Sequence, residues 1–274
     1  MKLRASPVKQ YALDHRLNVL QPGRLSDTGF LVQLKNLEPD MQVVVAFRMM
    51  PRAVWDMPRM GTFNLHASLL PQYRGAAPIN WAIINGETVT GLTTFFLQDK
   101  IDTGEIIFRE SMAIGPDETA GELHDRMKVK GAELVLKTVW ALLSGRVDTQ
   151  DQSRFTDPDF PLKPAPKIFT ETCRIDWNRP SADIYNLIRG LRPVPAAFTE
   201  LRLKDGTMAT MKILRAGLEK HGSSGSPGSV ISDGRSVLKI PASDGDINIF
   251  ELQLEGRKPL KTEAFLSGYG RNII

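Results

Sequence analysis

The pair Asn64 and His66 is the first feature of this 274-residue sequence whose residue types and spacing could do chemistry. Residues 62–66 alternate in polarity and predict a short strand, so the two side chains should point to one face. An amide donor beside an imidazole can polarise a carbonyl group and stabilise an oxyanion. By spacing alone this signal is weak, because an Asn-x-His pair on a strand is more often a structural hydrogen-bonded pair.

A carboxylate, Asp102, follows 36 residues after His66 in the glycine-containing loop 99–105. A carboxylate beside a histidine fixes its tautomer, raises its pKa and can take up a proton through water. An aspartate before Thr-Gly is more often a turn former. The sequence therefore offers a possible catalytic trio of amide, imidazole and carboxylate.

The remaining polar residues give weaker signals. Ser68 has no Gly-x-Ser-x-Gly surroundings and is better interpreted as a loop cap than as a nucleophile. The histidines at positions 15, 124 and 221 stand in polar contexts and are expected at the surface. No His, Asp or Glu set has the spacing of metal ligands, so no metal is predicted.

The composition is that of a globular protein with a sizeable core, since 42% of residues are hydrophobic and 24% are charged. A net charge of +4 is too small to indicate nucleic-acid binding by itself. The sequence contains no apolar run long enough for a membrane span and no apolar segment behind its basic start. Its one cysteine, Cys173, favours a reducing compartment. We expect a soluble protein of the cytoplasm.

The elements that must position the polar residues alternate between helix and strand up to about residue 148, which predicts an α/β sheet. The run 42–47 is continuously apolar and β-branched, as in strands buried on both faces of a parallel sheet. The other predicted elements are helices at 27–37, 78–85 and 118–143, the last broken near Gly131, and strands at 62–66, 91–97 and 106–114.

The second half of the sequence changes character. Residues 149–167 are polar and then proline-rich, which predicts a stiff linker. A helix at 181–191 is expected to begin with Ser181 as its N-cap. Asp-Gly turns then separate short strands and predict a small β-barrel; the strands are at 197–203, 208–216, 229–231, 236–240 and 247–254.

Residues 64–79 read Asn-Leu-His-Ala-Ser-Leu-Leu-Pro-Gln-Tyr-Arg-Gly-Ala-Ala-Pro-Ile, and Asn-Gly-Glu, Thr-Gly and Ile-Asp-Thr-Gly follow at 85, 90 and 101. This long pattern resembles the folate-dependent formyltransferases, in particular the branch that acts on methionyl-tRNA. The resemblance extends over nearly the whole sequence. It implies a Rossmann-like catalytic domain at 1–148, a linker at 149–167 and an OB-like β-barrel that helps to hold tRNA at 168–274.

The resemblance also implies roles for individual residues. Asn64 would donate to the formyl oxygen of 10-formyltetrahydrofolate and His66 would stabilise the oxyanion. Asp102 would keep His66 protonated and help to deprotonate the attacking amine, which is that of methionine on initiator tRNA. The remaining implied residues bind reduced folate, namely Ser68, Leu69, Leu70, Pro71, Phe47, Arg48, Met49 and Met50, or tRNA, namely Lys2, Arg4 and Lys167. For Phe47, Met49 and Met50, ordinary core packing is an equally good interpretation.

The sequence departs from the family pattern at its start. The family opens with a strand, a helix and a second strand before a basic loop, and this sequence begins where that loop ends. We therefore expect a shortened catalytic domain. Separately, we expect the protein to be a monomer. Two alternatives remain open: a formyltransferase that acts on a sugar-nucleotide amine, and an inactive form that only binds tRNA or folate.

Overall fold

A computed structural model of the chain describes residues 5–46, 49–203, 206–220 and 222–273. The chain divides into two compact units, residues 1–64 and residues 65–274, and each is described by itself. The boundary falls inside one strand, so this strand is continuous from the first unit into the second. In the described residues, no helix is long and apolar enough to cross a membrane.

The first unit is built from short elements. Asp27 caps its second helix, since its carboxylate accepts a hydrogen bond from the Phe30 N–H at 2.8 Å. That helix confirms the prediction for 27–37, whereas the helix before it was not predicted. The elements are α1 (Pro7–Asp14), α2 (Thr28–Lys35), β1 (Gln42–Val44), α3 (Arg52–Trp55) and the first residues of β2 (Thr62–His66).

Strand β1 differs from its prediction. It covers three residues instead of six and pairs in parallel with β2, with Val44 opposite Asn64. Val44 is buried, but Val43 and Val45 are 42% and 58% exposed. The prediction of a strand buried on both faces was therefore wrong. The reason is that β1 is the edge strand of its sheet, and one of its faces stays uncovered among the described residues.

The second unit begins with the end of β2 and continues with elements that match their predicted positions. They are α4 (Pro78–Ile84), β3 (Val89–Phe96), β4 (Ile106–Ala113) and α5 (Ala120–Leu143). The four strands follow the order β1-β2-β3-β4. Strand β4 runs antiparallel to β3, so the sheet is mixed and not parallel throughout. The loop 97–105 is too short for a helical crossover, and a hairpin connection reverses the chain direction.

Helix α5 is continuous, so the predicted break near Gly131 was wrong. A capping box starts the helix: the Thr119 hydroxyl accepts from the Glu122 N–H, and the Glu122 carboxylate accepts from the Thr119 N–H. A Cβ on Gly131 would lie 2.7 Å from Leu65 Cδ2. Gly131 is thus a packing position inside the helix, where Leu65 of β2 lies close to its backbone.

Residues 149–167 run along the α/β part of the second unit. A short 3₁₀ helix, Gln152–Phe155, buries Gln152. Isolated bridges join Gln150 to Ile106 and Ala165 to Gly75. A Cβ on Gly75 would lie 2.4 Å from the Ala165 carbonyl oxygen, which explains why glycine stands there. The segment therefore contributes residues to the interior of the unit.

The rest of the second unit is an antiparallel sheet in the order β5-β6-β9-β8-β7, with β10 on β9, and it forms one hydrophobic core with helices α6 and α7. The predicted strands are confirmed, while β10 and α7 were not predicted. The elements are α6 (Ser181–Leu191), β5 (Ala197–Arg202), β6 (Met208–Glu219), β7 (Ile231–Ser232), β8 (Leu238–Pro241), β9 (Asp246–Leu254), β10 (Leu260–Lys261) and α7 (Thr262–Ile273). The fold class is an α/β Rossmann-like sheet followed by an OB-like β domain.

The start of α6 corrects a detail. Pro180 occupies the N-cap position, and Ser181 is already helical. The Ser181 N–H donates to Asp244 Oδ1 at 2.7 Å. A residue distant in sequence therefore supplies the acceptor that the sequence pattern assigned to Ser181.

Candidate active site

Strand β2 carries both Asn64 and His66, and both are buried, at 3% and 6% exposure. They are two positions apart in a regular strand, so their side chains leave the backbone on the same side. Asn64 Oδ1 has no hydrogen-bond partner among the described residues. An unpartnered amide oxygen in a buried position is costly and is typical of a place where a ligand supplies the missing bond.

The His66 ring is held by a hydrogen bond that fixes its tautomer. Nε2 lies 2.9 Å from the Tyr73 carbonyl oxygen. A carbonyl can only accept, so Nε2 carries a hydrogen and donates. The other nitrogen, Nδ1, lies 3.9 Å from Asp102 Oδ2, and the edge of the ring contacts Phe95. Nδ1 is therefore the nitrogen left for a substrate or for Asp102.

The structure brings Asp102 to His66, as the sequence analysis expected. Asp102 is 6% exposed and has a left-handed backbone with φ of 54°. Its Oδ2 accepts a hydrogen bond from the Gly75 N–H at 3.0 Å. A non-glycine residue in this conformation is strained and persists only where its surroundings enforce it. The loop thus holds the carboxylate beside the imidazole at an energetic cost.

Gln152 is the residue that sequence reasoning missed. Its Nε2 donates to the carbonyl oxygens of Asp102 and Gly104 at 2.9 and 2.8 Å, and its Oε1 accepts from Arg74. All the polar atoms of this buried amide are used, and they tie the segment 149–167 to the Asp102 loop. Nothing in its polar local sequence distinguishes Gln152 from an exposed residue.

Residues 68–71 form a tightly connected loop. The Ser68 hydroxyl donates to the Gln72 carbonyl at 2.6 Å, which fits a loop cap and not a nucleophile. Thr93 Oγ1 donates to the Ser68 carbonyl and accepts from the Leu70 N–H. Ser68, Leu70 and Pro71 are buried, and Leu69 is half-buried.

Tyr73 anchors the segment that follows. Its hydroxyl donates to Glu87 at 2.6 Å and accepts from Asn85, and Lys163 pairs with the same Glu87. Burial, and then the hydrogen bond to Glu87, raise the pKa of Tyr73 well above its usual value. Tyr73 is therefore a neutral donor whose backbone carbonyl orients His66.

The other expected binding residues are less informative. Met49 is 80% exposed and Met50 is half-buried, so Met49 is not a core residue in this structure. Lys167 is exposed, with its Nζ 5.6 Å from the centre of the Phe169 ring. Lys2, Arg4, Phe47 and Arg48 lie outside the described residues. Within the described part of the chain, no group of three or more His, Cys, Asp or Glu residues could hold a metal ion.

A cavity of about 470 Å³ lies elsewhere in the second unit, at the start of α5 and the turn after α6. Asn80, Glu122 and Arg192 are among its lining residues, whereas His66 and Asp102 are not. This cavity therefore does not mark the catalytic candidate. Its assignment depends on the chemistry and the geometry of the imidazole–carboxylate pair.

Two family models match this chain: that of the formyl transferases over residues 1–139, and that of the formyl transferase C-terminal domain over residues 167–270. A methionyl-tRNA formyltransferase of Bacteroides fragilis is 50% identical over 268 residues, which are 98% of this chain and 82% of that protein. The chain belongs to the formyl transferase family. It is accordingly a transferase in which His66 and Asp102 occupy one buried site.

Solved structures show the same fold at low sequence identity. HypX from Aquifex aeolicus, in complex with tetrahydrofolic acid, is 20% identical with a TM-score of 0.64, covering 87% of this chain and 40% of that one. An N-formyltransferase from Helicobacter canadensis, with folinic acid and dTDP-3-aminofucose, is 18% identical with a TM-score of 0.62, covering 88% and 81%. This formyl transferase therefore shares its fold with the matched part of each structure.

Proposed function

We propose that this formyl transferase moves the formyl group of 10-formyltetrahydrofolate to the amino group of methionine on initiator methionyl-tRNA. One observation carries the proposal: Nδ1 of a buried imidazole faces a buried carboxylate, in a chain that is 50% identical to a methionyl-tRNA formyltransferase over 98% of its length. Because the acceptor belongs to translation initiation, the protein would work in the cytoplasm. We also propose that it is a monomer.

His66 and Asp102 would act on the two charges that develop in the reaction. The amine nitrogen attacks the formyl carbon, a C–N bond forms and the carbonyl electrons move to the oxygen. His66 Nδ1 would bind this oxyanion when protonated, because the Tyr73 carbonyl already holds Nε2. Asp102 would stabilise the imidazolium and accept the proton of the amine. The intermediate collapses when the bond to N10 of the folate breaks and N10 takes up a proton.

Asn64 would complete the group that binds the formyl oxygen. Its amide nitrogen can donate to that oxygen, and its unpartnered Oδ1 can accept from an N–H of the attacking amine. This role rests on the position of Asn64 in β2, two residues before His66. It gives the buried amide the partner that it lacks in the described structure.

The binding of the two substrates would divide along the chain. Reduced folate would lie against residues 68–71, whose side chains are mostly buried, so backbone groups and Leu69 would make the contacts, together with residues 47–50. Lys2, Arg4 and Lys167 would contact tRNA phosphates. We propose a catalytic domain at 1–148, a linker at 149–167 and a tRNA-binding domain at 168–274.

Single-turnover transfer of labelled formyl from 10-formyltetrahydrofolate tests the proposal, with methionyl-tRNA, uncharged tRNA and a sugar-nucleotide amine as separate acceptors. We expect label only on methionyl-tRNA. Transfer only to the sugar amine would contradict the proposed acceptor. Binding of folate and tRNA with no transfer to any acceptor would identify an inactive binding form.

A further inference from the structure

Arg109 in strand β4 is a cation that has no carboxylate partner among the described residues. In the described residues its Nε is buried and has no hydrogen-bond partner. Its guanidinium lies 4.1 Å from the centre of the Phe155 ring, which covers one face of the group. Burial lowers the pKa of Arg109, and no carboxylate in the described part of the chain counteracts this effect. A half-buried guanidinium normally has a carboxylate or phosphate partner, since desolvating an unpaired charge is costly.

Register places Arg109 on the face of the sheet that carries loop 68–71. It stands directly opposite Thr93 in the antiparallel pair β3–β4, and opposed residues project to the same face. The Thr93 hydroxyl is bonded to both Ser68 and Leu70 of that loop. On the other face, Thr94 hydrogen-bonds to Thr138 of α5.

Phe155 connects Arg109 to the loop. It packs against the small core cluster of Leu70, Phe95 and Ile106, and its ring also lies against the guanidinium. Phe155 therefore lies between the Arg109 guanidinium and the cluster that contains Leu70. Its ring-stacked, half-buried position suits one small carboxylate better than the phosphates of a long polyanion, which favour exposed cations.

We propose that Arg109 binds a carboxylate of the glutamyl tail of the reduced folate. This inference rests on the proposed function, because it concerns the formyl donor of that reaction. The guanidinium offers a planar fork of N–H donors that matches a carboxylate, and Phe155 holds the fork in place. Arg109 is then a residue that selects folate by its tail, away from the reacting atoms.

Binding titrations with two ligands test the inference: tetrahydrofolate, and tetrahydropteroate, which lacks the glutamyl group. Arg109→Gln should weaken tetrahydrofolate binding by about 10- to 100-fold, as expected for one charge-assisted contact. It should leave tetrahydropteroate binding unchanged. Arg109→Lys keeps the charge but loses the planar fork. Its affinity for tetrahydrofolate should lie between that of the original protein and that of Arg109→Gln. Arg146→Gln, at an exposed arginine after α5, is the matched control.

Three results would overturn the inference. They are an equal effect on both ligands, no effect on either, and a raised KM for methionyl-tRNA with unchanged folate binding, which would indicate a phosphate contact. An unfolded Arg109→Gln protein would be recognised by its thermal transition, and Arg109→Lys would then carry the test. The titrations need no acceptor, so Arg109-dependent folate binding without formyl transfer would contradict the proposed function alone.

Discussion

At the scale of single residues, the site depends on which nitrogen of His66 is free. The Tyr73 carbonyl accepts a hydrogen bond from Nε2. Nδ1, which lies 3.9 Å from Asp102 Oδ2, is therefore the nitrogen that can contact a substrate. This separation is longer than a direct hydrogen bond. Because the two groups do not hydrogen-bond to each other directly, each can still form a hydrogen bond to a substrate atom. They remain close enough for an electrostatic interaction.

Replacing His66 by alanine should lower kcat by about 100- to 1,000-fold, because one stabilising donor for the oxyanion is lost. Folate binding, measured by titration, should change little. His124→Ala, at an exposed histidine of α5, is the control and should retain full activity. A His66→Ala protein with kcat within a few-fold of the original would contradict the proposed role.

At the scale of elements, the segment 149–167 supports the catalytic loop. Gln152 bonds to the backbone of Asp102 and Gly104 and to Arg74, so one side chain joins three parts of the second unit. Strain at Asp102, with its positive φ, can be maintained only by such surroundings. We infer that Gln152 positions Asp102 through the backbone.

Gln152→Met keeps the volume but leaves the two carbonyl oxygens and Arg74 without partners. We expect the free energy of unfolding to fall by about 1–3 kcal/mol for each orphaned group that water cannot reach. The pH profile of kcat should also change, because Asp102 would be held less firmly, and a purely structural role would leave that profile alone. Gln33→Met, at an exposed glutamine of α2, is the control. An unchanged profile with reduced stability would limit Gln152 to a structural role.

Helix α6 contacts the turn before α5 through a hydrogen bond whose donor, the Tyr185 hydroxyl, is a titratable group. The Tyr185 hydroxyl donates to Asp117 at 2.7 Å, and burial, followed by this hydrogen bond, raises the pKa of Tyr185 to about 12. In the unfolded chain the pKa is 10.0, so the folded state holds the proton more tightly. The resulting stability is complete below pH 10 and is lost between pH 10 and 12.

Urea unfolding across this range tests the linkage. The stability difference between the original protein and Tyr185→Phe should shrink steadily as the pH rises from 10 to 12. Tyr11→Phe, at a tyrosine that is 60% exposed, should show no such trend. A difference that stays constant up to pH 12 would show that the tyrosine proton is not linked to folding.

At the scale of the whole molecule, the two proposed substrates differ most in charge. The protein carries a net charge of +4, and tRNA binding releases counterions from the phosphates. The KM for methionyl-tRNA should therefore rise steeply with salt, whereas the KM for 10-formyltetrahydrofolate should rise much less.

Lys167→Gln should reduce the slope of log KM for tRNA against log salt by about one unit if this exposed lysine contacts one phosphate. The measurement is steady-state kinetics at four or more salt concentrations. Lys35→Gln, at the end of α2, provides a matched loss of charge. Equal slopes for the original protein and both variants would remove Lys167 from the tRNA-binding surface.

The sequence by itself determined most of the longer elements and the common face of Asn64 and His66, since both follow from local backbone periodicity. Helix α4 and strand β2 lie where apolar spacing predicts them, and a two-residue separation in a strand fixes one side. The motif at 64–79 also identified the family. These properties depend on neighbours within a few positions of the chain.

Only the tertiary structure decided which distant groups meet. In the structure, β4 runs antiparallel to β3, and Val43 of the edge strand is exposed. Gln152 contacts a loop that lies 48 to 50 residues away in sequence. The structure also showed that Arg109 lacks an anion among the described residues. Such contacts depend on register and packing between separate elements, and a local residue pattern contains no information about either.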